Sequence, residues 1–385
     1  MLHMDKLTRI TEYFADVETT QEHKGYFCSV GEALTIVILG SLCGLRNASQ
    51  IQQWAAHSRV SEFLLKYFDI ERVPCYYWLL CLLKMIKPKS LNQCFMKWTQ
   101  SFLSDGVKGL TLSFDGKAIR STGKMSKYKS ALHIVSAHIA ELGITFAQET
   151  VDDKSNEIPA VRNLIDLLQI EGCIVVADAL HCQKDTAKAV VEGKADYLLS
   201  VKGNQGTLKK DIEDYVQDLD LRKRMDTSET FEKNRGRIER RTAFSTYDVD
   251  WLYGKEEWAG LSCVGAIHTQ FTTKRGTTDE WHYYISSRKL TAQELLKHAR
   301  LEWSVETMHW LLDVHFGEDF CRVEDENVQQ ILNIVRKIAL NSIKDYKGKT
   351  KSKRPICKIM LDCLIELETM LDILKYGNNW KLVRN

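Results

Sequence analysis

The chain has 385 residues, 44% of them hydrophobic and 27% charged, with a formal charge of +2. Such proportions belong to an ordinary folded protein with a substantial core and exclude a disordered chain. A charge so near zero neither indicates nor excludes a nucleic-acid partner, because any such contact must then come from local patches.

Residues 1–105 read as a small separate helical domain. The longest apolar run, Ala33 to Leu45, is bounded by Glu32 and Arg46. It is shorter than the roughly 20 helical residues that span a bilayer, so it predicts a buried core helix and no membrane partner. Ala48–Trp54 and Tyr76–Leu103 continue the helical texture, punctuated by Pro74 and Pro88. At Gly109 the texture changes, because the run from Leu110 to Asp115 suits a buried strand that ends in an acid. Further strands are predicted at Ala131–Ile139, Ile144–Thr150, Cys173–Ala177 and Tyr197–Val201, with helices at about 157–169 and 183–192. Ser155, Asn156 and Glu157 offer cap chemistry for the first of these helices. Continuous apolar strands such as Ile174–Ala177 are covered on both faces, so an α/β sandwich follows.

Between about 206 and 285 the character shifts to a charged helix near Leu208–Leu219, then to β-rich segments at Arg237–Tyr247, Leu261–Thr272 and Trp281–Ile285. This stretch is expected to be an insertion into the α/β domain, which spans residues 106–345. Thr291 and Glu294 form a capping box that opens a long helix through about His315. Val328, Ile331, Leu332, Val335, Ile338 and Ala339 then recur at helical spacing and predict helices packed back onto the sheet. Five of the eight residues from Lys347 to Arg354 are basic, which reads as an exposed linker within a C-terminal segment, 346–385, that ends in a helix. The 11 cysteines show no zinc spacing, and the N-terminus offers no apolar signal core. Reduced thiols in a cytoplasmic protein are expected.

Asp115 and Asp178 each end an apolar strand, and Asp115 is followed by Gly116, which allows close approach of a backbone or ligand. Acids at strand ends point into clefts more often than into cores, because a buried unpaired carboxylate is costly. The alternative for each is a turn or helix cap. On the long helix Trp303, Glu306, Trp310 and Asp313 share one side. Two tryptophans predict that this side is buried, and a metal would relieve the cost of placing Glu306 there. Two aspartates and a glutamate are hard oxygen ligands suited to Mg²⁺ or Mn²⁺ rather than zinc. Two such ions about 4 Å apart serve in-line displacement at phosphorus. Spacing alone cannot bring three residues so far apart in the chain together. There is no Walker A sequence, no G-x-G-x-x-G opening a helix and no H-E-x-x-H, so readings that need a nucleotide cofactor or a zinc protease lack support.

At these residues the chain resembles the H-repeat-associated (ISAs) group of insertion-sequence transposases, within the DDE superfamily. The matching stretches are Phe114 to Arg120, Lys154 to Pro159, Val176 to Ala179, Asp196 to Gln205, Gly236 to Arg240, Tyr283 to Ser287, Trp303 to Glu306, His309 to Val314 and Phe316 to Asp319, in order over about 110–345. The resemblance implies a ribonuclease-H-like catalytic core with a β-rich insertion and an N-terminal associated domain that binds DNA ends. It implies that Asp115, Asp178 and Glu306 are the catalytic, metal-binding carboxylates and hold two ions, Mg²⁺ or Mn²⁺. It further implies DNA cleavage and strand transfer at element ends, with a homodimer on DNA, associated with the nucleoid. A catalytically silent DNA-binding protein derived from a transposon, or a structure-specific nuclease of the same fold, are the competing readings. Glu302, Thr307 and Arg235 depart from the group's usual histidine, asparagine and histidine. Glu302 sets an extra negative charge one turn before Glu306, acting to raise that carboxylate's pKa or to repel a phosphate.

Lys202 and Asn204, in Lys-Gly-Asn-Gln after a strand, are candidates for a phosphate contact, with a polar turn as the alternative. Arg235, Arg237, Arg240 and Arg241 form a second basic cluster, in which strand alternation puts Arg235, Arg237 and Arg241 on one face as candidates for a DNA contact, with a solvated hairpin as the alternative. Arg300 either meets the scissile phosphate or pairs with Glu302. Trp303 and Trp310 are candidates for stacking on an unpaired base, with core packing the alternative for at least one of them.

Overall fold

The structure, a computed structural model, describes residues 14, 16–21, 27–101, 103, 106–123, 131–151, 157–234, 237–274 and 276–376. Ser155 and Asn156 of the expected cap, and Arg235, lie outside the described residues.

The first helix, α1 (Val30–Leu42), opens on a capping box of Ser29 and Glu32 and buries every residue from Ala33 to Leu42. A helix that is apolar all round must be enclosed all round, and neighbouring helices enclose this one. They are α2 (Ala48–Ala55), α3 (Ser58–Phe68), α4 (Tyr76–Met85) and α5 (Pro88–Gln100). These helices do not close a core of their own. Leu34, Ile38, Leu83, Phe95 and Trp98 belong to the same buried cluster as Leu312, Ile331, Val335, Ile338 and Met370 from the far end of the chain. The expected separation of the N-terminal part therefore gives way to a core shared by both ends.

A nine-stranded sheet forms the centre, in the order β3-β2-β1-β4-β5-β9-β8-β7-β6. β1 (Thr111–Ile119), β2 (Leu132–Ile139) and β3 (Ile144–Val151) form an antiparallel meander, while β4 (Ile174–Ala177) and β5 (Asp196–Val201) run parallel with β1. The parallel connections pass through α6 (Glu157–Leu167) and α7 (Lys184–Glu192). After α8 (Gly206–Gln217) come β6 (Asp226–Asn234), β7 (Arg237–Thr246), β8 (Cys263–Thr273) and β9 (Gly276–Ser286). β9 pairs antiparallel with β5, so the β-rich stretch prolongs the same sheet.

The expected long helix is two helices, α9 (Ala292–Glu302) and α10 (Ser304–Phe316), which meet at Trp303. The break lets α9 stay on the sheet while α10 turns onto β1 and the next helix. The Thr291–Glu294 box caps α9 as expected, each residue's backbone N–H meeting the other's side chain. Then follow α11 (Glu326–Thr350), α12 (Ile356–Ile365) and α13 (Glu368–Tyr376). Lys347 and Lys349 belong to the last turn of α11, so the basic run is in part helix rather than linker.

Strand parity decides which side carries the acids. Leu112, Phe114, Val175 and Ala177 pack with residues of α6, α7 and α8. Ile174 and Val176 pack instead with Leu295, Leu296 and Ala299 of α9. Alternation therefore turns Asp178, two residues after Val176, and Asp115, one after Phe114, toward the α9–α10 side. All 11 cysteines are free thiols. No described helix is long and apolar enough to cross a membrane.

Candidate active site

Phe114 pairs with Ala177 across the parallel strands β1 and β4, so Asp115 and Asp178 are the next step of the same register. Neighbouring strands lie about 4.8 Å apart, and the two carboxylates leave adjacent strands on one face, Asp178 just past the end of β4 and Asp115 from the middle of β1, which runs on to Ile119 where the apolar run had predicted its end. His309 of α10 meets Asp115, Nδ1 to Oδ2, at 3.3 Å. The Lys202 ammonium donates to Asp178 Oδ1 at 2.9 Å. Partial burial raises the Asp178 pKa, but Lys202 and the Ala179 N–H outweigh it and hold the carboxyl below its usual range. The segment that supplies Lys202 also grips the turn after Asp178. Asn204 Nδ2 donates to the Ala179 carbonyl at 2.6 Å, and Gln205 Nε2 to the Cys182 carbonyl at 2.9 Å. Lys202 and Asn204 are thus engaged with the Asp178 turn.

The face of α10 that carries the tryptophans is the outer one. Trp303 is 42% and Trp310 56% exposed, and Glu306 is exposed between them. The helix buries Val305, Met308, Leu311, Leu312 and Phe316 instead. The expected burial of the Trp303–Glu306–Trp310 face is therefore corrected: an aliphatic stripe on the same helix takes the core. The carboxylate that bears a burial cost is Glu302, the half-buried last residue of α9. Burial first, then the negative charges of Asp178, Asp115 and Glu306, push its pKa up to about 7 against the pull of Lys202. Four carboxylates hence lie within electrostatic reach of one another. As the side chains stand, no three His, Cys, Asp or Glu among the described residues converge at metal-binding distance. The donors are nonetheless all carboxylate oxygens, and their accumulated negative charge suits a hard divalent cation.

Behind Asp115, a polar network ties β1 to α10 and α11. Lys117 forms ion pairs with Asp313 and, at 2.8 Å, with Glu318. α10 ends at Gly317, whose φ of 63° is left-handed backbone, and this turn delivers Glu318 into the interior. Glu318 is 1% exposed and also accepts from Asn333 Nδ2 at 2.7 Å. Burial alone would raise its pKa, but Lys117, Lys337 and Arg336 keep it below the usual range. Lys337, equally buried, donates to Ser136 Oγ at 2.8 Å and Gln148 Oε1 at 2.6 Å, and burial brings its pKa down to about 8. Sequence reasoning passed over Lys117 and Glu318, although both fall in the quoted motifs.

Arg237, Glu239 and Arg241 share one face of β7, as alternation requires. Arg237 pairs with Glu239 at 2.5 Å, and Arg241, its side chain only 7% exposed, lies between Glu239 and Glu232. Arg300 reaches Glu232 at 2.6 Å, and Arg240 pairs with Glu229. The Arg241 guanidinium lies over the Trp303 ring at 5.7 Å, and Trp310 meets His315 edge-on.

The transposase DDE domain family matches residues 107–342, and a family described as associated with that domain matches residues 11–99. The chain belongs to the DDE transposases. It is 32% identical to the transposase relative YncI of Escherichia coli O157:H7 over 348 residues, 88% of either chain. YhhI of Escherichia coli K12, named as an H repeat-associated transposase, is 31% identical over 350 residues, 89% of this chain and 90% of its own. YbfL of the same strain is 33% identical over 310 residues, 78% of this chain and 82% of its own. These matches set this DDE transposase in the H-repeat-associated group, as its motifs imply. The solved piggyBac transposase synaptic complex with hairpin DNA aligns at a TM-score of 0.43 and 10% identity, over 99% of this chain and 84% of that one, a likeness too remote to add to the match.

Proposed function

We propose that Asp115, Asp178 and Glu306 are the catalytic carboxylates of this DDE transposase and hold two divalent ions, Mg²⁺ or Mn²⁺, for cutting and joining the ends of an insertion sequence. The observation that carries this is the parallel register of β1 and β4, which ends at Phe114 and Ala177 and so sets Asp115 and Asp178 side by side at its next step, facing the helices that bear Glu302 and Glu306. The order β3-β2-β1-β4-β5, with β1, β4 and β5 parallel, supports reading that half of the sheet as a ribonuclease-H-like core and β6–β9 as its insertion.

When bound, the ions supply Lewis acidity toward a phosphodiester and lower the pKa of an attacking water. The protein's own groups prepare for that. Lys202 offsets the charge of Asp178 and the His309 imidazole meets Asp115, and both must yield their carboxylate oxygens for these to become ligands. Glu306, exposed on the first turn of α10, has room to swing toward the aspartates. Water attacks first, and the freed 3′ hydroxyl of the element end attacks target DNA second.

DNA approaches over the outer face of α10, where Trp310 offers a flat apolar surface beside Glu306. Arg237 and Arg300, each partly exposed, can exchange their carboxylates for phosphates, and Lys202 becomes free for one when Asp178 takes a metal. Asn204 holds the Asp178 turn, and Arg241 supports Trp303 from below. The N-terminal part, 1–105, recognises the element ends. Two protomers act together on DNA, because joining requires two ends. The test is supercoiled plasmid bearing the element's inverted repeats, incubated with Mg²⁺. Joined products are expected, nicks alone would make the protein a plain nuclease, and retarded but uncut DNA would make it a silent binder.

A further inference from the structure

On the face of the sheet opposite Asp115, the carboxylate of Glu157 occupies a place that only glycine leaves open. A methyl group at Gly116 would overlap the carboxyl carbon and both carboxyl oxygens of Glu157. Gly116 has no left-handed backbone to explain it, since it is absent from the positive-φ glycines, so the missing side chain is a matter of room. Gly116 thus admits a carboxylate from α6 rather than a ligand.

Two imidazoles hold that carboxylate. His133 Nε2 on β2 stands 2.8 Å from Glu157 Oε1, and His181 Nε2 stands 3.5 Å from Oε2. His181 closes the helical turn that begins at Asp178, and its side chain is 2% exposed. Among the described residues the other ring nitrogen of His181 has no partner, so Glu157 is the polar contact that orients the ring. The three side chains do not form a metal-binding group of their own among the described residues. One carboxylate therefore touches the backbone beside Asp115 and the side chain three residues beyond Asp178. The opposite side of the same turn is gripped by Asn204 and Gln205.

We infer that Glu157 is a positioning residue that sets the separation and pitch of Asp115 and Asp178 from beneath the sheet. The inference rests on the reading of those two aspartates as metal ligands. Groups that orient ligands without touching the ion typically govern metal affinity or activity by 10–100-fold.

The test uses the full chain and Glu157→Gln, which keeps the size of the side chain and removes its charge. Three quantities are read: melting temperature, retardation of inverted-repeat DNA in the absence of divalent ions, and Mn²⁺ binding by calorimetry. Cleavage of that DNA at increasing Mn²⁺ follows. E157Q is expected to melt and bind DNA like the wild type, yet to bind Mn²⁺ about tenfold more weakly and to need correspondingly more of it for cleavage. Gly116→Ala is expected to act in the same direction. The G116A/E157Q pair should be no worse than the worse single variant, because both act through one contact. Wild-type Mn²⁺ binding and cleavage by E157Q would overturn the inference. If E157Q melts well below the wild type, His133→Gln carries the same reading: weakened Mn²⁺ binding supports the brace and unchanged binding overturns it. Asp115→Ala and Asp178→Ala separate this from the reading beneath it, since Mn²⁺ binding that survives in either would sink the site itself, whatever E157Q does.

Discussion

Two regions of the sheet treat charge in opposite ways. On β7, Arg237, Arg240 and Arg241 each have a carboxylate partner, and Arg300 joins the same network through Glu232. Where β1 and β4 run side by side, Asp115, Asp178, Glu302 and Glu306 crowd together with Lys202 as the cation described at the aspartates and the His309 imidazole beside Asp115, and the imbalance is felt at Glu302. Matched charges contribute to the fold, whereas a cluster left short of cations is arranged to receive some. The contrast teaches that basic residues in a sequence are weaker pointers to a DNA surface than an acidic cluster is to a metal, because arginines find partners within the protein.

Removing a carboxylate from the unbalanced region should have the largest effect. Asp178→Ala is expected to abolish cleavage, by about a thousandfold or more, while leaving gel retardation of inverted-repeat DNA intact. Next comes the network behind Asp115, where a buried charge would be stranded. Lys117→Met leaves Glu318 in the interior without its nearest cation and should cost about 3–5 kcal/mol in urea unfolding. A small loss there would mean that Lys337 and Asn333 suffice.

Glu302 sharpens the comparison through pH. Its folded pKa of about 7 lies above the ordinary 4.5, so the protonated form is favoured in the folded state. The stabilisation that protonation brings is present at low pH and is lost as pH rises from about 4.5 through 7. Glu302→Gln should therefore match the wild type near pH 4 and exceed it at pH 8 by up to about 3 kcal/mol in thermal unfolding. Added Mg²⁺ should narrow that gap by neutralising the cluster. A gap unaffected by pH would show that Glu302 is not in the acidic group. The smallest effect belongs to the balanced region. Arg240→Ala, which breaks a surface pair with Glu229, should leave the melting temperature unchanged within error.

How much of this was legible in the sequence follows from which signals are local. β1, β4 and β5 announce themselves as short apolar runs, and α1 as an apolar helix, because burial on two sides is written into consecutive residues. β6 was not visible, since Asp226–Asn234 is a polar edge strand with Phe231 exposed, and polar alternation there resembles a loop. The joint at Trp303 was hidden because its backbone, at φ −70° and ψ −7°, departs from helix by a single residue. The outer face of α10 was misread because tryptophan counts as apolar in any periodicity, although Val305, Met308 and Leu312 form the stripe that is buried. The core shared by α1 and α11 was not legible either, as periodicity reveals an apolar face but not the distant helix that covers it. At the site, Asp178 stood out by its strand end, while Asp115 stood out because the apolar run stops there, although β1 itself continues to Ile119 through Gly116 and the polar Lys117. Glu157 was read as part of a cap, and its bond to His181 depends on a fold that no local spacing encodes.

The central claim is that Glu306, rather than Glu302, completes the metal site with the two aspartates. The most direct test is an experimental structure of the protein with Mn²⁺ and an inverted-repeat DNA end, in which anomalous scattering locates the metal. Metal density bounded by Asp115, Asp178 and Glu306, with Lys202 drawn off Asp178, is the predicted result. Density held by Glu302 while Glu306 still faces solvent, or no density at the two aspartates, would contradict it.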